Sequence, residues 1–272
     1  MEFKDKVAIV TGGSSGIGFG ISKKLAEQGT KVYLVARNID KLENARSKIL
    51  EDGGKAEILS ADITDFRRVK EVIDQVYDEN GHIDILVNNA GDYRGASLDV
   101  DFENVAGLID LDFKAHLGIT HYAIQKFKDK LDNPLMILTV LSHAALKLLP
   151  GGAVYGGCKI GLMHGLFHYE NELKGKDHIK FYRLYPRTTG TESVIEYVRK
   201  GIFDEATSLE SVVDAAMDLL AGRTPTRDVE VGYEAKKGII RRYFDVAQFF
   251  PLTKEAVEQV MDPDFDPKKD LK

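Results

Sequence analysis

A tyrosine and a lysine lie four positions apart in the segment AVYGGCKIG, at Tyr155 and Lys159. On a helix, positions i and i+4 share one face, so the lysine ammonium would stand beside the phenol. A free phenol has a pKa of about 10, and lowering it by roughly 3 units takes about 4 kcal/mol of preferential stabilisation of the phenolate. A neighbouring cation provides such stabilisation. By itself the spacing is also that of a chance pair on a solvated helix, and a tyrosine that acts as a general acid or base is favoured only together with the motifs upstream.

A glycine-rich turn near the N-terminus points to a second chemistry, the binding of phosphate. The segment VTGGSSGIGFG follows an apolar run and precedes a helical pattern. Glycines there permit a tight turn and the close approach of backbone to a pyrophosphate at the helix N-terminus. The spacing is not that of a P-loop, and no Lys-Ser/Thr follows, which argues against nucleotide hydrolysis. We expect dinucleotide contacts from Gly12, Ser14, Ser15, Gly16, Ile17 and Gly18.

The end of the second predicted strand bears on the choice of dinucleotide. An acidic residue there would bind the ribose 2′-hydroxyl of NAD, whereas this chain has Ala36, followed by Arg37 and Asn38. A guanidinium at this place suits the 2′-phosphate of NADP. The pattern therefore favours NADP(H) over NAD, with Arg37 and Asn38 as contacts. In the alternative interpretation, Arg37 only caps the strand and points to water.

The elements that must position these residues are read from short β-rich runs that alternate with helical patterns. Amphipathic helices are indicated between them, for example over residues 65–81. This alternation predicts an α/β fold, a doubly wound parallel sheet of the Rossmann type with helices on both faces. We expect a single domain over residues 1–261 and a mobile tail over 262–272. The predicted strands cover residues 6–10, 31–36, 56–60, 83–89, 135–141 and 179–185.

Composition excludes several classes of function. A net charge of −6 with mixed signs argues against a nucleic-acid surface. The one cysteine excludes an intramolecular disulfide framework, and the charged start MEFKDK has no apolar signal region, so a cytoplasmic protein is expected. The longest apolar run is interrupted and too short for a membrane span of about 20 residues, so no transmembrane segment is expected.

Five motifs together resemble the short-chain dehydrogenase/reductase family. They are TGGSSGIG (11–18), NNAG (88–91), Ser142, YGGCK (155–159) and YPRTTGT (185–191), in the family's order and spacing. The resemblance covers residues 5 to 235 approximately. It implies a homodimeric or homotetrameric oxidoreductase that moves a hydride between NAD(P) and a small-molecule carbonyl or alcohol.

The resemblance also implies roles for single residues. Tyr155 would be the acid/base, Lys159 would lower its pKa and bind the nicotinamide ribose, and the Ser142 hydroxyl would hold the substrate oxygen. For Ser142 the alternative is an ordinary turn serine at a strand end. The further cofactor contacts implied are Asp62, Ile63, Asn89, Ala90, Gly91, Pro186 and Thr191.

Two positions depart from the family pattern. Asp112 stands where the family usually has an asparagine that holds a water of the proton relay. A carboxylate there can pair with Lys159 and would raise its pKa. Alternatively the register is wrong, and Asp110 or Asp112 faces solvent. Arg187 replaces a common glycine and can meet an acidic substrate group, the cofactor phosphates or only water. These departures leave open a protein that senses NADP(H) or scaffolds partners without turnover.

The substrate is expected to lie under a lid at about residues 188–206, followed by a helix that starts at a capping box over 207–210. The resemblance to reductases of 3-keto sphingoid bases and to hydroxysteroid and retinol-type members suggests a bulky or long apolar ketone. The basic, aromatic stretch 236–251 favours a pocket wall or a subunit contact over a membrane surface.

Smaller features have less specific interpretations. His164 and His168 have a zinc-compatible spacing but no third ligand, so structural or interface histidines are favoured, and no metal is expected. His143 either lines the pocket or belongs to an ordinary loop. Cys158 is expected in the core, and Gly156 and Gly157 are expected to pack closely on the neighbouring strand, the cofactor or a partner subunit.

Overall fold

The computed structural model describes residues 3–92, 101–130, 134–149, 151–199, 206–234 and 237–245. In these ranges eight strands form one sheet in the order β3-β2-β1-β4-β5-β6-β7-β8. All neighbouring strands are parallel except β8, which is antiparallel to β7. The strands are β1 (Val7–Thr11), β2 (Lys31–Ala36), β3 (Lys55–Ser60), β4 (Ile85–Asn88), β5 (Leu135–Val140), β6 (Ile179–Pro186), β7 (Asp228–Glu234) and β8 (Gly238–Phe244).

Helices cover both faces of this sheet, so the predicted doubly wound α/β fold is confirmed. A π-helical segment, Asp110–Ala115, joins two of the helices, and a short 3₁₀ turn, His143–Ala145, follows β5. The helices are α1 (Gly16–Glu27), α2 (Ile39–Glu51), α3 (Phe66–Asn80), α4 (Phe102–Ile109), α5 (His116–Phe127), α6 (Ala153–Glu172), α7 (Glu192–Arg199) and α8 (Leu209–Leu220).

Apolar runs of the central strands are buried on both faces, as a parallel sheet requires. Every residue of β1, β4 and β5 is buried. One apolar layer packs the sheet against α1, α2 and α8, and the other packs it against α3, α5 and α6. The strand order reverses between β1 and β4, and a crevice forms at the carboxyl ends of strands at such a switch point. The sequence motifs follow the carboxyl ends of β1, β4, β5 and β6.

Helix starts follow local capping chemistry. The side chain of Asn38 accepts the backbone N–H of Lys41 at 2.9 Å and caps α2. The capping box predicted at residue 207 is wrong by one residue. The N-cap of α8 is Ser208, whose hydroxyl accepts the N–H of Ser211 at 3.2 Å, while Thr207 forms an isolated bridge to Thr189. Among the residues that the structure describes, no helix has the length and apolar character needed to cross a membrane.

The sequence interpretation missed the last two strands. Within the basic stretch 236–251, residues Gly238–Phe244 form an edge strand. The prediction for residues 246–251 and for the tail 262–272 lies outside the described residues. Alternation along β8 is weak because Arg241 and Arg242 form ion pairs on opposite sides, with Asp218 of α8 and Glu230 of β7. A strand stabilised by ion pairs lacks the apolar periodicity by which strands are recognised.

Candidate active site

The glycine turn between β1 and α1 forms a narrow cradle. Gly12 has φ of +65°, and a Cβ on it would lie 2.7 Å from Nδ2 of Asn89. A Cβ on Gly18 would lie 2.4 Å from the carbonyl oxygen of Gly12. Helix α1 starts at Gly16, and neither a side-chain cap from Ser15 nor an acidic residue in the first turn occupies its N–H groups. These free donors at a helix N-terminus fit an anionic group such as a pyrophosphate.

Thr11 fastens the loop after β4 to this turn, a role that the sequence interpretation missed. Its hydroxyl accepts the N–H of Asn89 at 2.9 Å and of Ala90 at 3.2 Å and donates to the carbonyl of Val87 at 3.1 Å. The amide of Asn89 donates to the Thr11 carbonyl at 3.0 Å. The position of this threonine, as the last residue of the first strand, was the sequence signal from which this role could have been predicted. The loop that carries Asn89, Ala90 and Gly91 is therefore held beside the cradle.

The residues after β2 and β3 meet at the next edge of the crevice. The Arg37 side chain is 65% exposed, and its guanidinium lies 3.9 Å from a carboxylate oxygen of Asp62. Although burial opposes its charge, hydrogen bonds from Thr64 and the charge of Arg37 hold the pKa of Asp62 below its ordinary value. Asn38 uses its side chain to cap α2, and Ile63 is buried in an apolar layer. Arg37 is thus the exposed cation at this edge.

Tyr155 and Lys159 lie one turn apart on α6, as their spacing predicts. Nζ of Lys159 is 5.5 Å from the centre of the Tyr155 ring, and the lysine is 2% exposed. Nζ also lies 3.5 Å from the carbonyl of Val140 at the end of β5 and 3.1 Å from Oδ1 of Asp112. Burial opposes the charge of Lys159, but Tyr155 and Asp112 more than offset it and raise the pKa of the lysine above its ordinary value.

Asp112 faces the lysine, and Asp110 is the aspartate that faces outward. Both lie in the π-helical segment, where Asp110 makes an exposed pair with Lys114 at 2.9 Å. The Asp112 side chain is fully buried and accepts the N–H of Asp92 at 3.3 Å. Burial raises the pKa of the Asp112 carboxyl against the opposing charge of Lys159. A Cβ on Gly91 would lie only 2.8 Å from Oδ1 of Asp112.

His116 is a second buried polar group that the sequence interpretation missed. It lies one turn after Asp112, and its Nε2 is 2.5 Å from the carbonyl oxygen of Ala90. Burial and then the charge of Lys159 lower the pKa of His116 to about 3, so the imidazole is neutral. The neutral ring donates from Nε2, and its buried Nδ1 has no hydrogen-bond partner among the described residues. The i, i+4 relation to Asp112 was the available signal.

Ser142 follows β5 and begins the 3₁₀ turn that supports α6. Its hydroxyl accepts the N–H of Ala144 at 3.1 Å. A Cβ on Gly156 would lie 3.2 Å from the Ala144 carbonyl, so the first turn of α6 rests on the serine turn. Gly157, by contrast, has no described atom within 4 Å of a Cβ, so no described strand packs closely on it, and packing on the cofactor or a partner subunit stays a prediction. Cys158 is buried, and burial raises the pKa of its thiol.

The loop after β6 closes the site on its remaining side. Pro186 ends the strand, and the Cγ2 atom of Thr191 would lie 3.2 Å from a Cβ on Gly16, which places this threonine on the cradle. Arg187 neither reaches into water nor is free for a phosphate. Its Nε donates to Glu230 at 2.7 Å, and Nη2 donates to Glu234 at 3.1 Å.

His164 and His168 of α6 pack against each other. The rings of His164 and His168 contact each other edge to face, with centres 4.6 Å apart. Within the described ranges, no group of three or more histidine, cysteine or acidic side chains is placed to hold a metal ion.

Similarity to known proteins identifies the family of this chain. The family model for short chain dehydrogenases matches residues 6–200. An uncharacterized oxidoreductase of Listeria monocytogenes is 30% identical over 224 residues, which are 81% of this chain and 89% of that protein. Among solved structures, 7α-hydroxysteroid dehydrogenase in complex with NADH and 7-oxo glycochenodeoxycholic acid matches with a TM-score of 0.75 and 21% identity, over 87% of this chain and 96% of that one.

A second solved structure gives the same fold. The alcohol dehydrogenase of the archaeon Thermococcus sibiricus, in complex with 5-hydroxy-NADP, matches with a TM-score of 0.72 and 21% identity, over 84% of this chain and 97% of that one. At this identity the two structures show the fold, and the family model together with the Listeria relative shows the family. The chain is an oxidoreductase that belongs to the short-chain dehydrogenase family.

Proposed function

We propose that this oxidoreductase transfers a hydride between NADP(H) and a ketone or secondary alcohol, with Tyr155 as general acid and base. The observation that carries the proposal is the buried ammonium of Lys159 beside the Tyr155 ring, 5.5 Å from its centre. A desolvated cation at that distance favours the phenolate strongly, because the interaction is weakly screened. The resemblance of the YGGCK motif (155–159) to the family pattern supports the same assignment.

In the reducing direction, the Tyr155 hydroxyl gives its proton to the substrate oxygen as that oxygen becomes an alkoxide. Lys159 stabilises the phenolate that remains, and Asp112 holds the ammonium in place at 3.1 Å. The Ser142 hydroxyl donates to the developing alkoxide. The nicotinamide, when bound, supplies or accepts the hydride. In the oxidising direction each proton transfer is reversed.

The dinucleotide would be held by groups that the fold assembles at the switch point. The free N–H groups at the start of α1 would take the pyrophosphate, and the loop of Asn89, Ala90 and Gly91 would line the nicotinamide half. The exposed guanidinium of Arg37 supports NADP(H) over NAD, since β2 ends in Ala36 at the position where an acidic residue would bind the ribose of NAD. Asp62 and Ile63 would border the adenine half. Solved neighbours of this fold hold 5-hydroxy-NADP or NADH, which is consistent with either dinucleotide.

A bulky or long apolar ketone is the substrate class that we propose. Leu148, between Ser142 and Tyr155 in sequence, is fully exposed, and Ile195 on α7 is also exposed. Large apolar side chains left in water near a site are satisfied when an apolar ligand covers them. The resemblance to 3-ketosphinganine reductases and hydroxysteroid dehydrogenases supports the same class, as does the steroid substrate of one structural neighbour.

A substrate panel tests the proposal. NADPH and NADH oxidation should be followed with steroid ketones, 3-keto long-chain compounds, quinones and small ketones. Tyr155→Phe should keep the affinity for NADPH and lose at least a hundredfold in kcat, because proton transfer contributes about 10²–10⁴ to the rate. Full activity in this variant would refute the assigned role.

A second candidate function is an NADP(H) sensor or scaffold without turnover. The pairing of Asp112 with Lys159 favours it, since a carboxylate cannot donate to a relay water as an amide does. Quenched and blue-shifted NADPH fluorescence on binding, with no oxidation across the whole panel, would support this function.

The proposal extends to the organisation of the chain. We propose one domain over residues 1–261, a substrate lid at 188–206 that includes α7, and a homodimer or homotetramer located in the cytoplasm. Analytical ultracentrifugation of the purified chain measures the oligomeric state.

A further inference from the structure

A charged cluster next to the candidate active site has no part in the proposed chemistry. It consists of His143, Arg187, Glu230, Glu234 and Arg242, and we call it the hairpin cluster because its last three members belong to β7 and β8. These three residues lie beyond residue 200, where the match to the family model ends. The cluster therefore joins the family-like core to a hairpin outside the matched region.

Glu230 is the centre of this cluster. Its carboxylate lies 2.7 Å from Nδ1 of His143, 2.7 Å from Nε of Arg187 and 3.3 Å from Nη1 of Arg242. The side chain is 5% exposed. Burial opposes its charge, but His143 and Arg187 outweigh burial and lower the pKa of Glu230 to about 2. A buried carboxylate with several cationic or donor partners is held in one orientation, because leaving any partner would cost desolvation energy.

His143 connects Glu230 to Ser142. The imidazole is 14% exposed, and its buried Nδ1 faces the Glu230 carboxylate at 2.7 Å, although the contact is not in line as a hydrogen bond. His143 opens the 3₁₀ turn that Ser142 caps, and the N–H of Ala145 donates to the Ser142 carbonyl at 3.0 Å. Since Ser142 and His143 share a peptide bond, a contact that holds the His143 side chain against β7 also restricts where the Ser142 backbone can lie.

Arg187 holds Glu230 from the other side. The strand register places Tyr185 opposite Glu230 and Pro186 opposite Val231, so the arginine that follows lies along β7. Its stem covers Gly232, where a Cβ would lie 2.1 Å from the Arg187 Cδ atom. The guanidinium is thus confined between the strand and two carboxylates.

We propose that Glu230 is a positioning residue of this enzyme, which anchors the side chain of His143 and thereby fixes the turn that presents the Ser142 hydroxyl to the substrate oxygen. This inference rests on the proposed function, in which Ser142 holds that oxygen. Arg187 keeps the carboxylate in place. The hairpin β7–β8 is then a support for the active site and not only an extension of the sheet.

Kinetics of Glu230→Gln, His143→Gln and the double variant test the inference. Each single variant should lower kcat about ten- to a hundredfold, because small misplacements of a catalytic group cost up to that much. The NADPH dissociation constant should stay within about twofold, since the cluster does not touch the cradle, and the double variant should be no slower than the slower single variant, because both break one contact. Rates are referred to the concentration of NADPH-binding sites, so loss of folded protein does not enter.

Arg241→Gln is the matched control. Arg241 is the neighbour of Arg242 on β8, but it pairs with Asp218 on the other side of the sheet at 2.6 Å. The Arg241→Gln variant should keep the kcat of the wild type, although it removes an ion pair from the same strand. Unchanged kcat in Glu230→Gln, or multiplicative losses in the double variant, would overturn the inference.

Two further measurements keep the result decisive. If Glu230→Gln does not fold, His143→Gln, at the half-buried end of the contact, carries the kinetic test by itself. If the wild type turns over nothing, the proposed function fails, and crystal structures decide the positioning role. Displacement of the Ser142 turn in His143→Gln or Glu230→Gln would support it, and an unmoved turn would overturn it.

Discussion

Replacing Asp112 by asparagine should shift the pH dependence of the reaction to lower pH. The Asp112 carboxylate lies 3.1 Å from Nζ of Lys159, the ammonium that we propose stabilises the Tyr155 phenolate. A negative charge near the phenolate disfavours it, so Asp112 raises the pH at which the tyrosine becomes a base. Removing that charge with an isosteric amide should lower this pH.

The magnitude follows from the two distances that meet at Nζ. Nζ is 5.5 Å from the centre of the Tyr155 ring and 3.1 Å from Asp112, so ring and carboxylate are at most about 9 Å apart. At an effective dielectric constant of about 20, two like charges at that separation repel by about 2 kcal/mol. This repulsion corresponds to somewhat more than one pKa unit of the Tyr155 phenol. In Asp112→Asn, that pKa should therefore be lower by roughly the same amount.

The assay is kcat for alcohol oxidation, measured across pH with saturating cofactor. In this direction the proposed role of Tyr155 is that of the base, so the rate should rise with pH to a plateau, and the midpoint should move about one unit lower in Asp112→Asn. Asp110→Asn removes an exposed charge from the same π-helical segment and should leave the midpoint unchanged. A midpoint that stays in place in Asp112→Asn, or moves to higher pH, would refute the electrostatic reasoning.

Two other substitutions probe the cofactor edge and the base of the sheet. Arg37→Ala should weaken the binding of NADPH by about tenfold, as expected for an exposed charge-assisted contact, and leave the binding of NADH nearly unchanged. Equal losses of affinity for the two dinucleotides in fluorescence titrations would reject the phosphate assignment. Asp228→Asn should lower the free energy of unfolding in urea by about 3–5 kcal/mol, because Asp228 accepts two hydrogen bonds from the buried guanidinium of Arg183. Asp129→Asn, in an exposed pair with Lys176, is its control, and an equal effect of the two variants would contradict the burial argument.

Much of the site was predictable because it depends on local spacing. The relation of Tyr155 to Lys159 follows from the helical repeat, and the cradle follows from a glycine cluster between a strand and a helix. The pattern of strands and helices also determined the parallel sheet, since the connections between parallel strands are right-handed crossovers. For these features the chain near each residue contains the needed information.

The orientation of Asp112 could not be read in this way. The sequence left Asp110 and Asp112 as alternatives, because a regular helical repeat does not locate a π-helical segment. The structure has this segment at Asp110–Ala115 and turns Asp112 inward to Lys159. An extra residue in a helical turn is stabilised by tertiary contacts, here the buried ammonium, and not by the propensities of the residues themselves.

The amino-acid sequence by itself determined the fold, the pairing of Tyr155 with Lys159 on one helix and the glycine turn after the first strand. Only the tertiary structure decided which charges lie around that pair. Glu230 contacts His143 and Arg187 because the sheet order brings β7 beside β6, and His116 contacts Ala90 because two elements pack across the switch point. Local patterns depend on the periodicity of one segment, whereas buried ion pairs join segments far apart in the chain, and burial sets their strength.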